Sequence, residues 1–122
     1  MIIYMMRHGE TDWNVQHLFQ GRTDIPLNEN GRKVAEWTRD GLKDVHFDIA
    51  FCSPLCRAKE TAEIILEGRD VELIEDERII EMGFGGYEAT SMHDIDEDIE
   101  VFFLTCLFPG GHRLHTLAVE LI

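Results

Sequence analysis

The chain sets short apolar runs among longer polar stretches, and the two kinds of segment predict different elements. The first run, Ile2-Ile3-Tyr4-Met5-Met6, is apolar on both faces. That pattern predicts a buried strand of a parallel sheet. Residues 9–27 are rich in polar and turn residues and predict a long loop, a length that in a compact domain usually serves function. Asn28 is a good N-cap, and a helix is predicted from there to about Leu42. Val34, Ala35, Thr38 and Leu42 share its apolar face. Gly31 lies one turn earlier. A glycine there costs roughly 1 kcal/mol of helix propensity relative to alanine, which predicts close packing against a neighbour. Phe47–Cys52 predicts the second strand. Ser53 then predicts an N-cap with Pro54 at the first helical position, and Ala58, Thr61, Ala62 and Ile65 form that helix's inward face. Val71–Ile74 predicts a third, shorter strand.

The chemistry gathers where the first strand ends. Arg7-His8-Gly9-Glu10 follows the apolar run directly. In an open α/β sheet, ligands bind at the carboxyl ends of strands. An arginine offers a rigid fork of donors matched to phosphate oxygens. The imidazole beside it is largely uncharged at neutral pH and can act as a nucleophile. That role needs one ring nitrogen aimed at phosphorus and the other held, for example by a backbone carbonyl. Gly9 lets the backbone turn so that its N–H groups can face an anion. Arg57 stands in the first turn of the second predicted helix, whose dipole favours a nearby anion by ~0.3–1 kcal/mol.

The series continues through Glu10-Thr11-Asp12-Trp13-Asn14, Phe19-Gln20-Gly21, Asp24, Pro26-Leu27 and Gly31. It resumes at Cys52-Ser53-Pro54-Leu55-Cys56-Arg57-Ala58-Lys59-Glu60-Thr61-Ala62 and again at Arg78-Ile79-Ile80-Glu81-Met82-Gly83-Phe84-Gly85-Gly86-Tyr87-Glu88. In this order and spacing it resembles the histidine phosphatase superfamily, which includes the phosphoglycerate mutases. The resemblance runs from residue 2 to about residue 88, with a faint echo at Pro109-Gly110-Gly111. It implies an α/β fold, a three-layer α/β/α phosphoglycerate mutase-like sheet that is incomplete in its C-terminal half. It also implies a phosphohistidine mechanism without metal or cofactor. His8 would attack the phosphoryl group, Arg7 and Arg57 would clamp its oxygens, and Asn14 would donate a further hydrogen bond. Gln20 and Gly21 would belong to the phosphate site. Glu81 would protonate the leaving group, with Met82, Phe84 and Tyr87 partly desolvating its carboxyl. Gln20-Gly21-Arg22 looks more like the phosphatases than the mutases, where a tryptophan often follows the glycine. The family's second pocket histidine, in a strand ending Ser-His-Gly or similar, has no counterpart here.

Charge narrows the partners. Residues 1–61 carry 8 basic and 9 acidic side chains, whereas residues 62–122 carry 3 and 15. The second half repels polyanions, which argues against nucleic acid. A phosphorylated small molecule suits the first half, where the arginines gather. Three cysteines, an odd number, and a first strand that begins at Met1 point to a reducing cytoplasm, with no targeting segment. No apolar run is long enough to span a membrane.

From residue 89 the text changes. Residues 93–100 hold five acids, Val101–Phe108 is a dense apolar run, and residues 112–122 predict a last helix. His112 and His115 have a spacing that could share a helix face, yet no cysteine or carboxylate is placed to complete a metal site. One domain is expected over 1–122, with a family-like core over 1–88 and a divergent or truncated segment over 89–122. Three rival functions follow: a phosphomonoester hydrolase, phosphoglycerate mutase-type phosphotransfer, and a truncated phosphate-binding fragment of low or no activity. A fourth, weaker one is an interaction module working through its acidic segment at 94–100. An incomplete sheet also predicts a homo-oligomer that covers the exposed edge, or a poorly stable monomer.

Overall fold

The computed structural model describes residues 1–94. The expectations for Val101–Phe108, the last helix, and His112 and His115 lie outside the described residues, as does most of the acidic segment. The elements run α1 (Asp12–Val15), α2 (Glu29–Gly41), β1 (Ala50–Cys52), α3 (Cys56–Leu66) and β2 (Leu73–Glu75), followed by 3₁₀ turns at Glu77–Ile79 and Gly85–Tyr87. Among the described residues no helix is long and apolar enough to cross a membrane.

α2 forms as its pattern predicts. Asn28 Oδ1 accepts from Gly31 N at 2.8 Å and caps the helix. Gly31 is a point of backbone contact: a Cβ built there would stand 2.2 Å from the Glu10 carbonyl oxygen. The missing side chain lets the helix N-terminus lie directly on the Gly9-Glu10 backbone.

β1 and β2 pair in parallel, with Ala50 opposite Leu73, Phe51 opposite Ile74 and Cys52 opposite Glu75. Both strands are shorter than the sequence predicts. Phe47 lies outside β1, with its ring edge-on to Tyr4 and beneath the Arg69 guanidinium. α3 packs on both strands and on α2. Cys52 is buried, whereas its neighbour Phe51 is 49% exposed. The strand alternation therefore gives one face of the sheet a helical cover and leaves Phe51 on the other. A second helical layer is not found among the described residues.

Three expectations are corrected. Residues 2–6 do not form a strand, and Ile2 is 81% exposed. A strand exists through its ladder, and no described segment pairs with this one. The loop at 9–27 contains a short helix, α1. Thr11 Oγ1 accepts from Asn14 N, and Asn14 Oδ1 accepts from Thr11 N, which together form a reciprocal capping box. Finally, Ser53 does not cap α3. Its Oγ accepts from Leu55 N at 3.3 Å, and Leu55, in an extended conformation, holds the N-cap position. The first helical N–H, that of Cys56, donates instead to Asp24 Oδ1 at 2.7 Å. The carboxylate that meets this helix end comes from the first loop.

Candidate active site

His8 is buried beside Gly9. Its Nδ1 lies 2.6 Å from the Gly9 carbonyl oxygen. A carbonyl can only accept, so Nδ1 carries the hydrogen and Nε2 holds a lone pair. Nε2 is buried and has no hydrogen-bond partner among the described residues. Burial pulls the imidazole pKa down to about 4. The Gly9 carbonyl opposes the shift, and the charges of Arg57 and Arg7 add to it. The ring is therefore neutral at pH 7, with its basic nitrogen unspent.

The backbone around His8 is clamped from two helices. Gly9 N donates to Thr61 Oγ1 at 2.9 Å, and Thr61 Oγ1 donates to the Arg57 carbonyl at 2.7 Å. α3 thus holds the turn after His8. On the other side Glu10 accepts from Asn28 N through its carbonyl and from the Asn28 and Asn30 side chains through Oε1. A cavity of about 60 Å³ lies beside His8, lined also by Arg7, Thr61, Val34, Ala35 and Ile65.

Arg57 is the most deeply buried charge of the group, at 1% exposed. Nη1 donates to the Thr23 carbonyl at 2.9 Å and Nη2 to the Gly21 carbonyl at 2.7 Å. The arginine expected to clamp phosphate thus organises the first loop. Burial works against its charge, and the nearby Glu81 carboxylate works for it. Glu81 is itself buried, at 7% exposed, and its Oε1 accepts from Met82 N at 2.7 Å. Electrostatics therefore couples His8 to Arg57 and Arg57 to Glu81.

The other expected residues divide. Gln20 is buried, with Oε1 3.0 Å from Thr11 Oγ1. Asn14 spends its Oδ1 on Thr11. Gly21 takes φ +54°, and its carbonyl serves Arg57. Arg7 is exposed and makes no hydrogen bond or ion pair among the described residues. Size does not mark this site: a larger cleft of about 610 Å³, between Arg39, Lys43, His46 and Arg69, contains none of these residues.

Two contributors escape the sequence reading. Thr61 reads as one more inward-facing residue of α3, and only the fold shows its hydroxyl under Gly9. Glu88 reads as one acid among many. Its carboxylate accepts from Arg22 N, Thr23 N, the Thr23 hydroxyl and Phe84 N. The one sequence signal for Glu88 is its place at the end of the third family-like segment.

The sequence profile of the histidine phosphatase superfamily (branch 1) matches residues 3–109. The chain belongs to that superfamily. Over 92 residues it is 44% identical to the uncharacterized phosphatase PhoE of Bacillus subtilis, covering 75% of this chain and 48% of the relative. It is 37% identical to the 2,3-bisphosphoglycerate-dependent phosphoglycerate mutase of Cytophaga hutchinsonii, covering 99% and 61%. The structure of YhfR from Bacillus stearothermophilus superposes with a TM-score of 0.72 at 37% identity, covering 82% of this chain and 50% of that one. The α/β, phosphoglycerate mutase-like fold follows from this likeness. The chain spans about half the length of the curated relatives it matches.

Proposed function

We propose that this chain hydrolyses phosphomonoesters through a phosphohistidine at His8. The observation that carries the reading is the neutral His8 ring, its Nδ1–H held by the Gly9 carbonyl and its Nε2 buried without a partner among the described residues. In the first step the Nε2 lone pair forms a bond to phosphorus as the ester P–O bond breaks. The leaving alkoxide takes a proton from Glu81. In the second step water attacks the phosphohistidine, the N–P bond breaks, and Glu81 takes the water's proton. Arg7 and Arg57 stabilise the charge spread over the phosphoryl oxygens, with Asn14, Gln20 and the Gly21 backbone completing the pocket. The substrate is a phosphorylated small molecule. The free thiols Cys52 and Cys56 accord with a reducing cytoplasm. Exposed Phe51 and Ile2 support self-association, and light scattering that shows a monodisperse monomer would oppose it.

Mixing the full chain with an aryl phosphate and quenching in base tests the mechanism. Phosphate should be recovered on His8, stable to base and labile to acid, and absent from His8→Ala. Turnover that persists in His8→Ala would remove the reading. Two others remain. Phosphoglycerate mutase-type phosphotransfer draws on the Cytophaga relative, and the Gln20-Gly21-Arg22 sequence weighs toward hydrolysis. Formation of an isomerised phosphoglycerate in place of inorganic phosphate would reverse that choice. A phosphate-binding fragment with little turnover is favoured by the exposure of Arg7. Phosphate binding without any phosphohistidine would select it.

A further inference from the structure

We propose that Glu88 is a positioning residue for Arg57, acting through the turn at residues 21–23. The inference rests on the phosphatase reading only for its functional consequence. The geometry stands without it.

The turn is gripped from both sides by opposite charges. On the N–H side, Glu88 Oε1 accepts from Arg22 N at 3.1 Å, and Oε2 accepts from Thr23 N at 3.0 Å and from the Thr23 hydroxyl. On the carbonyl side, Arg57 donates to Gly21 O at 2.7 Å and to Thr23 O at 2.9 Å. Carboxylate and guanidinium thus polarise the same short stretch of backbone, and chained hydrogen bonds of this kind reinforce one another. Phe84 N also donates to Glu88 Oε1, at 3.0 Å, which ties the turn to the segment that begins at Glu81. Arg22 Nε closes the circuit on the Glu81 carbonyl at 3.1 Å.

Gly21 is shaped to this arrangement. Its φ is +54°, and a Cβ there would lie 2.3 Å from Glu88 Oε1. A side chain at this position would drive the carboxylate off its donors. The Thr23 contact holds the Glu88 carboxyl below the usual glutamate range, so the carboxylate stays ionised at neutral pH. Four donors converge on this ion, three of them from residues more than 60 positions away in the chain, beside an arginine that shares the same turn. A carboxylate serving solubility alone would not be so engaged.

Glu88→Gln in the full chain keeps the shape, but it removes the charge and turns an amide N–H toward the donors. The Arg57 guanidinium resonances, assigned by their loss in Arg57→Lys, should broaden or shift in Glu88→Gln. Affinity for inorganic phosphate should fall on the order of tenfold, the equivalent of one charge-assisted hydrogen bond. Asp76→Asn serves as control, since Asp76 holds Arg78 N in the same manner away from the site. It should leave the Arg57 signals in place. Thr23→Val, which deletes only the hydroxyl donor, should move the Arg57 signals in the same direction as Glu88→Gln and by less. Arg57 signals unchanged in a folded Glu88→Gln would overturn the proposal. If wild type binds no phosphate while the Arg57 signals still respond, the phosphatase reading fails and the positioning role stands.

Discussion

Thr61 and Gly9, 52 residues apart, are joined by a 2.9 Å hydrogen bond from the Gly9 N–H to the threonine hydroxyl. The bond is buried, and it fixes the turn that follows His8. The hydroxyl uses its own hydrogen on the Arg57 carbonyl, so one side chain couples the nucleophile's backbone to the helix that carries the arginine. Thr61→Val should leave a buried N–H without an acceptor, at a cost of about 1–3 kcal/mol. Thr61→Ser should keep most of that stability. Chemical denaturation of the two variants checks the claim, and a larger loss in Thr61→Ser than in Thr61→Val would point to packing of the methyl group instead.

Gly31→Ala should invert the usual rule. Alanine for glycine inside a helix ordinarily stabilises by roughly 0.5–1 kcal/mol. Here the new Cβ would meet the Glu10 carbonyl at 2.2 Å and Glu10 N at 2.7 Å, against backbone that cannot rotate away. Overpacking of this kind costs about 1–3 kcal/mol or more. Gly41→Ala, where a Cβ would meet nothing within 4 Å among the described residues, is the paired control and should be neutral or stabilising. The melting temperature should fall in Gly31→Ala and should not fall in Gly41→Ala.

The pH dependence of stability should carry the signature of His8. Its folded pKa is about 4, against 6.5 for a free imidazole. Between those values the unfolded chain binds the proton and the folded chain does not, so stability falls as pH drops from 6.5 toward 4. Above 6.5 both states are neutral and the effect vanishes. Denaturant midpoints for wild type and His8→Asn across pH 4–8 measure it. The slope in that window should be smaller in the variant, and an unchanged slope would place its origin elsewhere.

Arg57→Lys should not be conservative. Nη1 and Nη2 reach two carbonyls at once in a planar fork, which one ammonium cannot reproduce. Loss of one charge-assisted bond costs about 1.5–3 kcal/mol. Proteolysis within residues 20–24 should speed up, because those carbonyls hold the turn closed. Resistance equal to wild type would mean that the turn is held by Glu88 alone.

Glu81→Gln should slow transfer from a poor leaving group more than from a good one, since only the poor one needs the proton. An alkyl phosphate compared with a nitrophenyl phosphate provides the contrast. Equal slowing for both would remove Glu81 from the acid role.

What the sequence determined by itself is local. Asn28 caps α2 because a short polar side chain reaches the N–H three residues on, and Gly31 marks a close approach because a helix tolerates glycine only at a cost. His8 beside Gly9, after an apolar run, marks the site because those residue types are adjacent in the chain. Pairings over long separations obey no such pattern. Nothing in the spacing says that Asp24 caps α3 in place of Ser53, or that the Arg57 fork closes on Gly21 and Thr23. The same holds for Glu88, whose four donors lie on two segments. The predicted strand at 2–6 fails for a related reason: apolar residues allow a strand, but only a neighbour's ladder makes one. The His8 tautomer is set locally, by the carbonyl of the next residue, Gly9, whereas tertiary packing is what buries Nε2 with no partner among the described residues.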